Sequence, residues 1–448
     1  MKPMDCRKTT RSWCILPCLL ALMVFVSSAR TGVSEETLDL PLPRTSTNAA
    51  LHYQRAILFL VAVDPVHRDL LRKPIWEIVN PTSSPADLAK VDRLLIASRH
   101  AIRSSLIGAN QLHADFGLDI RQYMLTAVLP HTQMMVDLAK LNALHGVQKE
   151  AAGDWTSAAE IYLAIIRMGR HMTHQTTLDE VLAGIEILET AYYALGRWAT
   201  HCSDESLINR LLDLAKVSSG NLIEPARTLL SEASISQMRL DAMQDAYPDG
   251  PWAEMVLEVL HEEMPNVGPV DLRKHAIAAA IKHGVPKSAF DNKDALGRHL
   301  KKLRSTHIAL TRESAICLTQ SAPESILQGE TIYQKYKSKL PDTERASKLN
   351  PARLASLFAV HKAELTLTKV ILAISATKTA QGFPADLGSV AEKLGGTLPK
   401  SPYDGSALVY ESLENGKGFS LTVSGTTIGK EKLPEIEFKH LPSASSPE

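Results

Sequence analysis

The chain has 448 residues, and its 49 lysines and arginines equal its 49 aspartates and glutamates, so its formal net charge at pH 7 is zero. Without an excess of positive charge there is no bulk electrostatic attraction to nucleic acid or to an anionic membrane. We therefore expect no nucleic-acid partner, and contact with a membrane only through the N-terminal segment if that segment is retained.

Residues 1–29 have the pattern of a signal peptide. Four basic residues precede an uncharged apolar stretch from Trp13 to Val26, and small residues follow at positions 27–29. The apolar stretch is shorter than the roughly 20 residues that a membrane span needs. We therefore expect cleavage after Ala29 and export to the periplasm or the extracellular space, with an uncleaved membrane anchor as the lesser alternative. Cleavage removes four of the 49 basic and one of the 49 acidic residues, which leaves 45 against 48.

Cysteine use is sparse after the signal peptide, where only Cys202 and Cys317 remain. An oxidising compartment permits a disulfide between them. A chain of this size can also bury both as free thiols, because its core needs no covalent link, and we favour this second alternative slightly. Cys-x-x-Cys pairs and zinc-type Cys/His spacings do not occur, so we predict neither a structural metal site nor a cofactor.

Helical periodicity follows a polar, proline-bearing stretch at residues 30–46, which we interpret as a linker. Asn48 is placed to cap the first helix, and residues 84–109 show the pattern of one amphipathic helix. The same pattern recurs over residues 120–152, 155–170, 177–199 and 204–218. Alternating runs typical of sheet are missing before about residue 400. Residues 47–345 therefore predict a helical domain, either an irregular bundle of helical hairpins or a solenoid.

One predicted hairpin, HGVQKEAAGDWTSAAEIYLAI at residues 145–165, resembles a tetratricopeptide (TPR) repeat. Residues 153–155 predict the turn between its helices, and Ala158 and Tyr162 stand where that repeat has its small and aromatic packing residues. A second copy does not follow at the 34-residue step of such arrays. The resemblance therefore implies one TPR-like hairpin within an irregular helical protein.

Residues 140–200 are also similar to a segment of exported helical proteins from planctomycete-type bacteria. The similarity rests on the pair Arg170-His171 at the end of one helix and the pair Thr177-Leu178 at the start of the next. It implies export and a helical fold, and it implies no reaction.

The last hundred residues predict a different unit. Asn350 and Pro351 begin a long helix, a short helix follows a Phe-Pro corner, and strands at residues 407–413 and 419–423 are joined across an Asn-Gly turn. Ile436 and Phe438 alternate in a possible third strand. This order resembles the globular part of type II secretion pseudopilins over residues 351–440. The resemblance implies a pilin-like α+β unit at residues 350–441, in which a C-terminal β-hairpin covers the long helix, followed by a flexible tail at 442–448.

Two features separate this unit from pseudopilins. The long helix contains His361, Lys362, Glu364 and Lys369, which do not suit a membrane-spanning pilin helix. The segment SGTTIGKEKLPE supplies no aspartate, although calcium requires six to eight oxygen ligands. We therefore expect neither assembly into a pilus nor calcium binding.

Sequence motifs of catalysis are missing: there is no Gly-x-Ser-x-Gly elbow, no His-Glu-x-x-His pair and no phosphate-binding glycine loop. The weak candidates are His171 with His174, which could hold a metal from one helical turn, and Glu262 with Glu263, which could act as acid and base. Cationic side chains at a helix end and a solvated helix end explain the two pairs better. We therefore assign no catalytic, metal or cofactor-binding residue.

The sequence thus predicts an exported, non-catalytic interaction or scaffold protein of the bacterial cell envelope. Its helical body would bind a protein partner, and its pilin-like unit would dock or cap. The alternative is an envelope-acting hydrolase with a site in the turn-rich loops at residues 246–270, where proline and glycine interrupt the helical pattern.

Overall fold

The structure is a computed structural model, and it describes residues 48–73, 77, 85–117, 129–217, 226–231, 233–234, 278, 281, 287–290, 293–338 and 350–441. The predicted signal peptide, the linker, the loops at 246–270 and the tail at 442–448 lie outside these residues. All described residues belong to one compact unit, Thr47–Glu448. They are mainly helical and end in a small antiparallel sheet.

The N-terminal part contains α1 (Ala49–Val61), α2 (Pro65–Arg68), a 3₁₀ turn (Asp69–Arg72), α3 (Pro85–Ala97) and α4 (Arg99–Ala109). Asn48 caps α1 as predicted, since its side-chain oxygen accepts from Ala50 N at 3.0 Å. The prediction of one helix over residues 84–109 is wrong. Ser98, with φ −98° and ψ 9°, separates α3 from α4, and α4 then packs along α1. A Cβ at Gly108 would lie 2.8 Å from the ring of Tyr53, so only glycine permits this contact.

The central part contains α5 (Pro130–Ala151), α6 (Trp155–Thr173), α7 (Leu178–His201) and α8 (Glu205–Val217). The predicted turn between α5 and α6 is confirmed: Gly153 has φ +76°, and the Asp154 side chain accepts from Ser157 N at 3.2 Å. Helices α6 and α7 cross closely, because a Cβ at Gly184 would lie only 2.8 Å from the backbone nitrogen of Thr173.

The C-terminal helices are α9 (Lys293–Cys317), α10 (Ala322–Lys337), α11 (Pro351–Ala376) and α12 (Gly388–Lys393). The predicted start of α11 is confirmed, because Asn350 Oδ1 accepts from Ala352 N at 3.0 Å and Pro351 opens the first turn. Helix α11 packs against α7, α8 and α10, so it lies inside the helical body and not beside it.

Five strands follow: β1 (Val409–Leu413), β2 (Gly418–Val423), β3 (Thr426–Ile428), β4 (Glu431–Leu433) and β5 (Ile436–His440). Strands β1, β2 and β5 form an antiparallel sheet in that order, with Leu421 paired to both Tyr410 and Phe438. This confirms the predicted hairpin and third strand. Strands β3 and β4 form a second small ladder that the sequence did not predict.

One cluster of buried apolar side chains extends from Ala49 in α1 to Leu433 in β4. The helical part and the C-terminal α+β part therefore share a core. Cys202 and Cys317 are both free and buried, as expected for thiols that act as small apolar groups. Within the described ranges, no helix has the length and apolar character needed to cross a membrane.

Candidate functional site

The structure gives the two candidate histidines separate partners. His171 is buried in α6, with Nδ1 2.8 Å from the hydroxyl of Tyr53. His174 is exposed at the end of α6, with Nδ1 2.7 Å from the carbonyl oxygen of Arg170. Glu262 and Glu263, together with the loops proposed for the hydrolase alternative, lie outside the described residues. His171 and His174 therefore hydrogen-bond to different groups.

His171 makes stability depend on pH. Burial, with a smaller contribution from the nearby cations Arg167 and Arg170, lowers its pKa to about 4, below the ordinary 6.5. The unfolded chain therefore takes up this proton first, and the contribution of His171 to stability is lost as pH falls from about 6.5 to about 4. We expect His171→Gln to lose less free energy of unfolding than the parent protein between pH 7.5 and 4.5, as measured by urea denaturation. Equal losses in both proteins would contradict this assignment.

A groove of about 900 Å³ lies between the helices and the last strand, and we call it the β5 groove. Residues of the helices α3, α5, α7 and α11 and of the strand β5 line it. Its apolar walls include Leu144, Val147, Tyr193, Leu367, Ile371 and Phe438. Because these residues come from separate elements, no local sequence pattern could reveal the groove.

Strand β5 lines this groove and has one unpaired edge. It lies at the edge of the three-stranded sheet and pairs with β2 on one side only. All residues from Ile436 to Leu441 line the groove, and among the described residues no other strand pairs with β5. The backbone N–H and C=O groups on its outer side are therefore available to a further strand.

Arg197 supplies an unused donor on the same wall. Its Nη2 lies 2.6 Å from Glu150 Oε1, which also accepts from the hydroxyl of Tyr162. Burial raises the pKa of Glu150, and the charge of Arg197 opposes that rise. The Nε of Arg197 is buried and has no hydrogen-bond partner among the described residues. An acceptor from a bound molecule would satisfy this N–H.

A second feature beside the groove is the Glu–His cluster, which consists of Glu189 on α7 and of His361 and Glu364 on α11. Their side-chain ligand atoms all lie within 4.8 Å of one another. His361 and Glu364 are three residues apart, so they share one helix face. Burial lowers the pKa of His361 to about 4, which keeps the imidazole neutral at pH 7.

The two carboxyl groups of the cluster are held at elevated pKa. Burial is the main cause for both, and repulsion from a neighbouring carboxylate adds to it: Glu186 for Glu189, and Glu189 for Glu364. In the part of the chain that the structure describes, neither group forms a salt bridge with a lysine or arginine. The raised pKa values favour the protonated form of these carboxyl groups, and a bound cation would favour the ionised form instead.

Sequence reasoning noted His361 and Glu364 only as departures from an apolar pilin helix. Their one-turn spacing on one face of a largely apolar helix is the signal that could have marked them as a pair. Glu189 could not be joined to them, because it lies more than 170 positions earlier in the chain.

The β5 groove and the Glu–His cluster share Glu189 and Glu364, so the cluster opens onto the groove. The apolar walls and the free strand edge suit an extended polypeptide, whereas the cluster offers imidazole and carboxylate ligands to a cation. Comparison with known proteins assigns neither feature: the chain matches no family model, no curated protein and no solved structure.

Proposed function

We propose that this chain is an exported, non-catalytic protein of the bacterial cell envelope, in which the helical body binds a protein partner and the C-terminal unit caps the binding site. The observation that carries the proposal is the β5 groove, whose lining combines apolar side chains with the edge strand β5. The signal-peptide pattern supports export. The likenesses to a TPR hairpin and to the globular part of pseudopilins support an interaction role, and we retain both as part of the proposal.

The occupant of the groove is an extended segment of the partner. Strand β5 offers main-chain hydrogen bonds to a neighbouring strand, and alternate side chains of that strand would enter the apolar space. The volume of about 900 Å³ lies within the range of ligand sites, which is about 300–1,000 Å³. One acidic or amide side chain of the segment would accept from Arg197 Nε. The segment therefore alternates apolar residues and carries one acceptor.

Panning a phage library of random heptapeptides on the purified protein tests this proposal. We expect enrichment of peptides in which apolar residues alternate and one acidic or amide residue recurs. A selected peptide is then synthesised with and without N-methyl groups on alternate amides, and its affinity is measured by isothermal titration calorimetry. The methylated form is expected to bind at least about tenfold more weakly, because a tenfold change is about 1.4 kcal/mol and two or more main-chain hydrogen bonds supply that.

Matched tryptophan variants locate the binding site. Ala151 is an exposed residue of the groove wall, whereas Ala407 is exposed before β1 and does not line the groove. Ala151→Trp is expected to abolish peptide binding, and Ala407→Trp is expected to leave it unchanged. Peptides that bind both variants equally, or a library without enrichment, would rule out the groove as a peptide site.

A further inference from the structure

We propose that Glu189, His361 and Glu364 bind one divalent transition-metal ion, with Zn²⁺ as the ion to be tested first. This site borders the β5 groove through Glu189 and Glu364, but all of its ligands lie on α7 and α11, and metal binding does not require the strand edge of β5. The proposal therefore stands or falls independently of the proposed function.

The geometry of the three side chains fits one ion. Their ligand atoms lie within 4.8 Å of one another. Zinc binds imidazole nitrogen and carboxylate oxygen at about 2.0–2.2 Å, so two ligands of one ion are at most about 4.4 Å apart. Small rotations of the carboxylates therefore bring all three atoms onto a common ion. The His361–Glu364 pair comes from one face of α11, and the facing helix α7 supplies the third ligand.

The cluster contains buried polar atoms without a hydrogen-bond partner among the described residues. His361 is 5 % exposed, yet neither of its ring nitrogens has a hydrogen-bond partner among the described residues. Glu364 Oε2 is buried and equally without a partner. Buried polar groups are hydrogen-bonded with few exceptions. A cation in contact with the imidazole and the carboxylate would satisfy both at once.

The chemistry of the donors selects the class of ion. A neutral imidazole and two carboxylates suit zinc, iron or manganese, whereas calcium and magnesium prefer oxygen donors alone. The two negative charges of the carboxylates also balance the two positive charges of the ion. The carboxylates and the ion can therefore be buried together without the cost of burying an unpaired charge. Because Glu189 and Glu364 line the β5 groove, an ion can reach the site from solvent. Three protein ligands leave at least one coordination position open.

Metal binding can be measured on the protein purified after export. The protein is stripped with a chelator and titrated separately with Zn²⁺, Mn²⁺, Ca²⁺ and Mg²⁺, with a fluorescent zinc chelator as competitor. We expect one Zn²⁺ per chain, a higher melting temperature for the zinc-loaded protein, and no binding of Ca²⁺ or Mg²⁺ at millimolar concentration. X-ray absorption of the zinc-loaded protein is expected to show one imidazole and oxygen ligands at about 2.0–2.2 Å.

Substitutions assign the ligands. We expect each of three substitutions to weaken Zn²⁺ binding at least about 100-fold: Glu189→Gln, Glu364→Gln and His361→Asn. Mutation of a group that only orients a metal ligand already lowers metal affinity by about 10–100-fold. Glu186→Gln is the matched control. Glu186 lies one turn before Glu189, is 49 % exposed and pairs with Lys140 at 3.1 Å, so its loss is expected to change the affinity at most about threefold.

Two results would overturn the proposal. Zinc that binds equally to all three ligand variants occupies another site. If no zinc binds, the two carboxyl groups share a proton and the cluster is a buried acid pair. A variant that does not unfold cooperatively is not properly folded and cannot be used to assign the ligands. In that case the X-ray absorption spectrum of the zinc-loaded parent protein tests the proposal, because a spectrum without an imidazole ligand excludes His361.

Discussion

Replacement of Gly329 by alanine is expected to destabilise the protein by about 3 kcal/mol, at the upper end of the cost of overpacking. A Cβ at Gly329 of α10 would lie 2.6 Å from Ala352 N and 2.9 Å from the carbonyl carbon of Pro351. Both atoms belong to the backbone of α11, so no side-chain rotation can relieve the contact. The intrinsic gain of about 1 kcal/mol for alanine over glycine in a helix is smaller than this cost. Chemical denaturation of parent and variant measures the difference.

Gly388→Ala is the control for this substitution. Gly388 begins α12, and a Cβ there would meet only the side-chain oxygen of Asp386, at 2.9 Å. That carboxylate can move at the cost of its exposed hydrogen bond from Gly388 N, 2.7 Å long, so we expect the stability to change by no more than about 1 kcal/mol. A Gly329→Ala variant as stable as the parent would show that α10 and α11 do not approach as closely as described.

Replacement of Arg197 by methionine is expected to cost about 3–5 kcal/mol at pH 8, because it removes one partner of a buried ion pair. The side chain of Glu150 is 5 % exposed and that of Arg197 20 % exposed, and their closest atoms are 2.6 Å apart. Arg72→Met is the matched control: Arg72 and Asp69 are each more than half exposed, and such surface pairs contribute about 0–1 kcal/mol. Equal effects of the two substitutions would contradict the buried pair.

The cost of Arg197→Met depends on pH. Burial already raises the pKa of Glu150, and Arg197 opposes that rise, so its removal raises the pKa further. A carboxyl group whose folded pKa is raised contributes stability below its unfolded pKa and loses that contribution as pH rises through the folded pKa. The destabilisation should therefore be small at pH 4.5 and largest at pH 8. Adding Glu150→Gln to Arg197→Met is expected to restore stability at pH 8 and to remove the pH dependence.

Local chemistry explains which parts of the fold could be predicted. Asn48 and Asn350 are caps, Gly153 is a positive-φ turn, and Asn415-Gly416 joins two strands. The conformation of each of these caps and turns is set by a few adjacent residues, without contacts from distant parts of the chain. Predictions that rest on such signals agree with the structure within a few residues.

Tertiary contacts explain which features of the structure the sequence did not predict. The break at Ser98 has no proline or glycine beside it, and it is compatible with the packing of α4 on α1. The short strands β3 and β4 have only three residues each, too few for an alternating pattern. The β5 groove and the Glu–His cluster combine α7, α11 and β5 across most of the chain. Their residues have ordinary neighbours in sequence, and only the fold brings them together.

The shared core sets an order of events during biosynthesis. Side chains of α1 belong to the same core cluster as side chains of β2 and β4, but α1 itself packs mainly on α4 and α5, so the N-terminal helices can pack on one another before the C-terminal strands have left the ribosome. The contacts between α7 and α11 join segments far apart in sequence, and they form later because a long loop must close first. We expect the N-terminal helices to pack early and the packing of α11 on α7 to be completed last.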